Sequence, residues 1–209
     1  MIKAVIFDVD GILVDSREAN IAFYQKLLPA AGYPPVGREA VLACFHLPLR
    51  GAIQKLTGVS ESAELERIFN IGNNFSLRDA DLFEFPKELE EVLSKLRREY
   101  RLAIATSRTR LGMDHVFSAR QIKQLFDVVV TFEDYDNPKP HPEPLQVALK
   151  QLELSSNEAV YVGDSFTDIE AAKSAGMKSI YIAAEPHQDA TLNISSFDRL
   201  LDAVESLDH

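Results

Sequence analysis

The segment spanning residues 2–13 constrains the fold of this chain more than any other feature. It is an apolar run with strand character that ends in two acids, Asp8 and Asp10, followed by Gly11. Strand residues that are two apart share a face, and a glycine allows the backbone to turn just beyond a strand. Open α/β sheets bind ligands at the carboxyl ends of their strands. The segment therefore indicates a buried strand with two carboxylates at a ligand-binding edge, although an acidic surface turn is an alternative for the pair alone.

Four further segments have the short, apolar and largely β-branched character of strands in a parallel sheet covered on both faces. Helical stretches separate them, which predicts right-handed crossovers and a doubly wound α/β core. Thr167 and Glu170 are predicted to form a capping box at the start of one helix. The predicted strands comprise residues 102–105, 128–130, 160–162 and 179–182, and the predicted core helices comprise residues 86–100, 144–152, 167–175 and 197–207.

Residues 16–84 break this alternation, because they contain no convincing strand. Their apolar spacing predicts helices over residues 16–31, 39–45, 50–56 and 62–73. We therefore expect an α/β catalytic core made of residues 1–15 and 85–209, with an α-helical cap inserted as residues 16–84. An insertion directly after the strand that carries the paired acids is well placed to act as a lid.

Composition restricts the partners and the compartment. The 209 residues carry a formal net charge of −10, which argues against a nucleic-acid or anionic-membrane surface. Cys44 is the only cysteine, so no disulfide framework is expected, and a buried packing role suits it. No stretch approaches the roughly 20 apolar residues of a membrane span, and the apolar start lacks a signal-peptide cleavage pattern. We predict a cytoplasmic protein.

Polar residues follow the later predicted strands as well. Thr106, Ser107 and Arg108 offer two hydroxyls, backbone amides and a cation, all of which suit phosphate oxygens. Ser107 is equally suited to cap a helix, and the sequence leaves both roles open. Lys139 and His141 alternate with three prolines in the segment Pro138-Lys139-Pro140-His141-Pro142. Because proline fixes the backbone angle φ, this segment is predicted to be a stiff arm. His141 itself is interpreted as a loop residue.

The fourth predicted strand ends in a second pair of acids. Asp164 and Asp168 are four residues apart at the start of a helix, so both can face one side. Carboxylates are also common caps at helix N-termini, which is the alternative interpretation. Acids, hydroxyls and one lysine at the same edge of the sheet favour a ligand site, and a set of oxygen ligands suits Mg²⁺.

These motifs, in this order, resemble those of the haloacid dehalogenase-like (HAD) hydrolase superfamily over essentially the whole chain. The chain is most similar to phosphoglycolate phosphatase-like and pyrophosphatase-like members, which carry an α-helical cap on a Rossmann-like core. The motifs concerned are Asp8-Val9-Asp10-Gly11, Thr106-Ser107, Lys139-Pro140 and the segment Gly163-Asp164-Ser165-Phe166-Thr167-Asp168. Each motif is weak alone, but the ordered combination is specific.

The resemblance implies an Mg²⁺-dependent phosphatase that acts through an aspartyl-phosphate. Asp8 would be the nucleophile and Asp10 the general acid and base. The Asp8 carboxylate, the Asp10 backbone carbonyl and Asp164 would hold Mg²⁺. Thr106, the Ser107 amide and Lys139 would bind the phosphoryl oxygens, with Arg108 as a further substrate contact. Asp168 would orient Lys139 or a metal-bound water.

The natural substrate is expected to be a small phosphorylated metabolite, with a phosphoglycolate-type compound favoured. An inorganic pyrophosphatase and a sugar-phosphate mutase of the same fold are the alternatives, although Asn20 stands about where such mutases carry a cap histidine. Asp10 disfavours dehalogenase and phosphonatase chemistry. An inactive binding module would lack Mg²⁺-dependent phosphate release. The expected assembly is a monomer or a homodimer.

Selectivity is expected to lie in the cap segment of residues 46–51. Arg50 could pair with a carboxylate or second phosphate of a small substrate, and His46 could hydrogen-bond to it. The alternative is that Arg50 is a solvated charge at a helix start and that His46 packs inside the cap.

Overall fold

The computed structural model describes residues 1–45, 47–73, 77 and 79–207. The chain divides into two compact units. The first unit comprises Met1–Val14, Phe85–Thr106 and Gln121–His209, and the second comprises Asp15–Glu84 and Ser107–Arg120. Residues 107–120, which the sequence analysis assigned to the α/β core, thus group with the inserted segment. The boundaries of the predicted core and cap as folding domains stay a prediction.

The first unit is built on a parallel sheet in the order β3-β2-β1-β4-β5-β6. This confirms the predicted doubly wound α/β fold. Successive strands are added on one side of β1 up to β3, and the chain then returns to add β4 on the other side. That reversal makes the carboxyl end of β1 a topological switch point, where such sheets bind ligands. The strands are β1 (Ala4–Phe7), β2 (Arg101–Ala105), β3 (Val128–Val130), β4 (Ala159–Gly163), β5 (Lys178–Ile182) and β6 (Leu192–Ile194).

The helices are numbered in chain order through both units. Those of the second unit are α1 (Arg17–Ala30), α2 (Arg38–Leu42), α3 (Leu49–Thr57), α4 (Ser62–Gly72) and α6 (Arg110–Ala119). Those of the first unit are α5 (Leu89–Leu96), α7 (Glu143–Leu152), α8 (Phe166–Ser174) and α9 (Leu200–Ser206). Across the described residues, no helix is both long enough and apolar enough to cross a membrane.

Each unit has its own apolar core. In the first unit, β1 and β4 are buried along their whole length, which explains their continuous apolar sequences. In the second unit, Phe23, Leu27, Ile53 and Ile68 pack together on the inner faces of its helices. Cys44 is buried in this second core, as its predicted packing role requires.

One strand and one α-helix of the structure were absent from the sequence prediction. Strand β6 is only three residues long and partly exposed, with Asn193 at its centre, so it lacks the apolar run of a central strand. Helix α6 contains Gly112, which weakens its helical pattern. Its start is nevertheless signalled, because the Thr109 hydroxyl accepts a hydrogen bond from the Gly112 N–H at 3.1 Å.

The predicted capping box between Thr167 and Glu170 is wrong. Helix α8 begins at Phe166, two residues earlier than that pairing requires, and Ser165 is its N-cap. The Ser165 hydroxyl accepts from the Asp168 N–H at 3.2 Å, and the Asp168 carboxylate accepts from the Ser165 N–H at 3.1 Å. The reciprocal pair thus falls on residues of the fourth motif, and it fixes the Asp168 side chain.

Candidate active site

Asp8 lies at the carboxyl end of β1, between the ends of two neighbouring strands. Phe7 pairs with Ile104 of β2 and with Val162 of β4. Asp8 is the next residue, so it lies level with the carboxyl ends of both neighbouring strands. The Asp8 N–H donates to the Val162 carbonyl at 2.9 Å, which continues the β1–β4 ladder by one residue. The Asp8 side chain is therefore held at the switch point, and the residue is only 8% exposed.

The chain folds back directly after Asp8. The Val9 carbonyl accepts from the N–H groups of Leu13 at 2.9 Å and Val14 at 3.1 Å, and the Gly11 N–H donates to the Val14 carbonyl at 2.9 Å. Gly11 has φ +80°, a left-handed conformation that favours glycine. This tight turn carries the half-buried Asp10 at the same edge of the sheet.

Two glycines allow the first and fourth motifs to approach each other closely. A Cβ atom on Gly11 would lie 1.9 Å from Oδ2 of Asp164, and one on Gly163 would lie 2.4 Å from Cβ of Asp168. Neither position can carry a side chain without displacing an acid. The two glycines therefore determine how close the carboxylates of the two loops can lie.

Lys139 joins the first and fourth motifs. Its Nζ lies 3.0 Å from Oδ1 of Asp8 and 2.6 Å from Oδ1 of Asp168. It also donates a hydrogen bond to the hydroxyl of Tyr161 at 2.9 Å. Burial alone would lower the pKa of Lys139, but the charges of Asp168 and Asp8 outweigh it and raise that pKa. The three acceptors match the three N–H donors of a charged ammonium group.

Both oxygens of the Asp168 carboxylate accept hydrogen bonds. Its Oδ1 accepts from Lys139, and its Oδ2 accepts from the Ser165 N–H and from the Ser165 hydroxyl at 2.5 Å. Burial would raise the pKa of Asp168, but Lys139 and Ser165 outweigh it and lower that pKa. Asp168 is therefore a fully buried, charged anchor for the lysine.

Tyr161 is a site residue that the sequence analysis missed. It is fully buried at the centre of β4, and its hydroxyl lies 3.1 Å from both Oδ1 of Asp168 and the carbonyl of Ala105. A signal was present, because a buried tyrosine in an otherwise apolar strand needs a partner for its hydroxyl. Its contact with Lys139 depends on residues 22 positions apart, which no local pattern reveals.

Asp164 completes a cluster of three acids. One carboxylate oxygen from each of Asp8, Asp164 and Asp168 lies within 4.8 Å of the other two. Burial, followed by the charges of Asp8, Asp168 and Asp10, raises the pKa of Asp164 to about 8. Burial also raises the pKa of Asp8 to about 7, against the opposing effect of Lys139. Three carboxylates share one ammonium group, so the cluster would carry an excess of negative charge if all three acids were ionised.

The donor set fits a hard divalent cation. Such ions prefer carboxylate and carbonyl oxygens, and they neutralise acids that otherwise take up protons on burial. Because both oxygens of Asp168 are already engaged, Asp8 and Asp164 are the carboxylates that could hold the ion. No donor among the described residues hydrogen-bonds to the Asp164 carboxylate, which leaves its oxygens available to a metal.

Thr106 also lies at this edge of the sheet. It follows β2, its N–H donates to the Val130 carbonyl at 3.1 Å, and its own carbonyl accepts from the Tyr135 hydroxyl at 3.1 Å. In the first unit, Asp8, Asp10, Thr106, Lys139 and Asp164 therefore lie at the carboxyl ends of strands or in the loops that follow them, and Asp168 lies in the first turn of α8.

The remaining predicted residues that the structure describes belong to the second unit. Ser107 and Arg108 follow Thr106 in the chain, and the guanidinium of the buried Arg108 lies 5.3 Å from the centre of the Phe83 ring. Arg50 forms an ion pair with Glu66 and lies 5.1 Å from the centre of the Phe69 ring, so it links α3 to α4. His46 lies outside the described residues.

Comparisons with known proteins agree with this geometry. The sequence model of the family described as "Haloacid dehalogenase-like hydrolase" matches residues 5–182. The chain is 31% identical over 208 residues to the pyrophosphatase PpaX of Bacillus cereus (strain B4264), covering 99% of this chain and 94% of that protein. The match includes the segments that carry all four motifs.

Solved structures show the same architecture. A HAD-superfamily hydrolase of subfamily IA, variant 1, from Geobacter sulfurreducens PCA has a TM-score of 0.73 and 29% identity, covering 97% of this chain and 96% of that chain. A β-phosphoglucomutase from Clostridium difficile has a TM-score of 0.83 at 20% identity, covering 99% and 97%, and supports the fold alone. The chain belongs to the haloacid dehalogenase-like hydrolase family, as an enzyme of the phosphatase type.

Proposed function

We propose that this enzyme hydrolyses a small phosphorylated metabolite in an Mg²⁺-dependent reaction, through an aspartyl-phosphate on Asp8. The observation that carries the proposal is the cluster of Asp8, Asp164 and Asp168 around the single ammonium of Lys139. Burying this much charge is costly unless a cation or a reaction requires it.

The residues that would hold Mg²⁺ are the Asp8 carboxylate, the Asp10 backbone carbonyl and the Asp164 carboxylate. When bound, the ion neutralises negative charge that would otherwise repel a phosphate dianion. Asp168 is assigned to Lys139 instead, because its oxygens already accept hydrogen bonds from Lys139 and Ser165.

In the first half-reaction, an Asp8 oxygen attacks phosphorus while the bond from phosphorus to the leaving oxygen breaks. Asp10 donates its proton to that leaving oxygen. Lys139, Thr106 and the amide of Ser107 stabilise the charge on the transferring phosphoryl oxygens. The contact of Lys139 with Asp8 at 3.0 Å supports this role, since it places a cation beside the nucleophile.

In the second half-reaction, water attacks the phosphorus of the aspartyl-phosphate. Asp10 takes the proton of that water, and inorganic phosphate leaves as the Asp8 carboxylate is restored. Asp10 is thereby protonated again for the next turnover, so the cycle consumes one water and balances without a further reactant.

The favoured substrate is a phosphoglycolate-type monoester, as the resemblance to phosphoglycolate phosphatase-like members implies. The relative at 31% identity is named a pyrophosphatase, which supports inorganic pyrophosphate as the second candidate. A sugar-phosphate mutase of the same fold is the third candidate, as the resemblance of the motifs implies. Arg108, Arg50 and His46 are proposed contacts to the substrate beyond the phosphoryl group. A cytoplasmic location, a monomeric or homodimeric state and the lack of nucleic-acid and membrane partners stay predictions.

Phosphate release from a panel of phosphorylated metabolites, headed by phosphoglycolate and pyrophosphate, tests the proposal. The enzyme should release phosphate with Mg²⁺ and lose that activity with a chelator, and Asp8→Asn serves as the inactive control. Trapping of a labelled aspartyl-phosphate on the wild type, but not on Asp8→Asn, would support the covalent route. Phosphate release that is unaffected by the chelator and by Asp8→Asn would contradict the proposal. Conversion of a sugar phosphate without phosphate release would favour the mutase.

A further inference from the structure

The segment that carries Lys139 is a short arm between β3 and α7, defined here as residues 135–143. At its start, the Tyr135 hydroxyl donates to the Thr106 carbonyl at 3.1 Å. In its middle, the His141 N–H donates to the Pro138 carbonyl at 3.0 Å and closes a turn around Lys139. The lysine therefore projects from a turn whose position depends on how the two ends of the arm are held.

Glu143 holds the two ends of the arm together. It is the first residue of α7, yet its carboxylate accepts from the N–H groups of Asp136 and Asn137, both at 3.0 Å. It also accepts from Nδ2 of Asn137 at 2.7 Å, and the Glu143 N–H donates to Nδ1 of His141 at 3.3 Å. Every one of these contacts lies within the arm, and they enclose the turn that carries Lys139.

We propose that Glu143 is a positioning residue that acts on the reaction through Lys139. The inference rests on the proposed function, in which Lys139 stabilises the transferring phosphoryl group. The Lys139 ammonium must reach three acceptors, each within 3.0 Å. A small displacement of its backbone would break that arrangement, and misplacement by about 1 Å can cost on the order of a hundredfold in rate.

The informative variant is Glu143→Gln, which preserves the shape of the side chain. Its amide has one acceptor oxygen, so the NH₂ group faces an N–H donor of Asp136 or Asn137 and that contact is lost. We expect kcat/KM for the preferred phosphate ester to fall about tenfold, mainly through kcat. In a Lys139→Met background the same substitution should cause no further loss, because the group it positions is gone.

Glu158→Gln is the matched control. Glu158 also closes a local loop, since its carboxylate accepts from the Ser155 N–H at 3.0 Å and from the Ser155 hydroxyl at 2.6 Å. It lies outside the arm, so it should leave kcat/KM unchanged within about twofold in both backgrounds. Circular dichroism checks that all variants are folded at the assay temperature.

If Lys139→Met turns over too slowly for its kcat/KM to be measured, calorimetry measures the affinity of the same single and double variants for inorganic phosphate in the presence of Mg²⁺. Glu143→Gln should weaken phosphate binding only when Lys139 is present. Equal losses in both backgrounds, or no loss in either, would overturn the inference and leave Glu143 a structural residue. A wild-type protein that neither binds phosphate nor releases it from any ester would instead overturn the proposed function.

Discussion

Two ion pairs between a basic side chain and a carboxylate, one in each unit, lie in very different surroundings. In the first unit, the side chains of Lys139 and Asp168 are 4% and 0% exposed, and they contact two further site residues. In the second unit, the side chains of Arg50 and Glu66 are 44% and 48% exposed. Both pairs join segments that are distant in sequence, yet only the first lies at a sheet edge among excess carboxylates.

The two pairs differ in their access to water, because the first pair is buried and the second is solvated. Removing charged groups from water is expensive, so a buried cluster persists only where its hydrogen bonds are complete or its charge is used. Exposed pairs gain little, because water and salt screen them. Buried charge at the end of β1 is therefore a stronger indication of a reaction centre than any of the surface pairs.

Among the variants that test this comparison, Asp8→Asn should cause the largest loss, and the loss is in activity. The amide keeps the volume of the acid but is a far poorer nucleophile and metal ligand, so phosphate release should fall by roughly several hundredfold or more. Steady-state assays with Mg²⁺ measure the loss, and circular dichroism shows whether the fold is intact. A folded Asp8→Asn protein with near-normal turnover would contradict the covalent mechanism.

Lys139→Met should have the next largest effect, and it tests the stability side of the comparison. It leaves the cluster of carboxylates without its ammonium, so the free energy of unfolding should fall by about 3 kcal/mol. The matched change in the exposed pair, Arg50→Met, should leave the unfolding transition nearly unchanged. Urea denaturation of the metal-free proteins measures the free energy of unfolding of both variants. Equal decreases for Lys139→Met and Arg50→Met would contradict the distinction between the buried and the exposed pair.

Asp10→Asn should have a smaller effect that depends on the leaving group. Protonation of the leaving oxygen matters when its conjugate acid is weak, so alkyl phosphate cleavage should slow by about a hundredfold. An activated aryl phosphate should lose only a few-fold in the same step. Rapid-quench measurement of aspartyl-phosphate formation gives both numbers, and equal losses would argue against Asp10 as the acid.

Arg50→Ala should have the smallest effect, confined to substrate choice. If Arg50 binds the anionic part of the leaving group, its loss should raise KM several-fold, on the order of 1 kcal/mol, for a metabolite with an anionic leaving group. A phosphate ester with an uncharged aryl leaving group should be unaffected. Arg38→Ala is the control, because Arg38 pairs with Glu18 in the same unit at 51% and 50% side-chain exposure. An unchanged substrate ranking in Arg50→Ala would place selectivity elsewhere.

The sequence by itself determined the architecture and the chemical types at the sheet edge. Five strands were predictable because buried parallel strands read as uninterrupted apolar runs, which is a local property. The acids, hydroxyls and lysine were predictable as a group because the carboxyl ends of parallel strands meet at one edge. Strand β6 escaped prediction because a short, half-exposed edge strand has no such run.

Only the tertiary structure decided which of these groups touch. The contact of Lys139 with Asp168 and Tyr161, the capping box of Ser165 with Asp168, and the approach of Gly11 to Asp164 each depend on where loops cross in space. The role of Glu143 likewise emerges from the folded arm rather than from its position at a helix start. Local patterns report the environment of a strand or helix, whereas hydrogen bonds between loops depend on the packing of the whole unit.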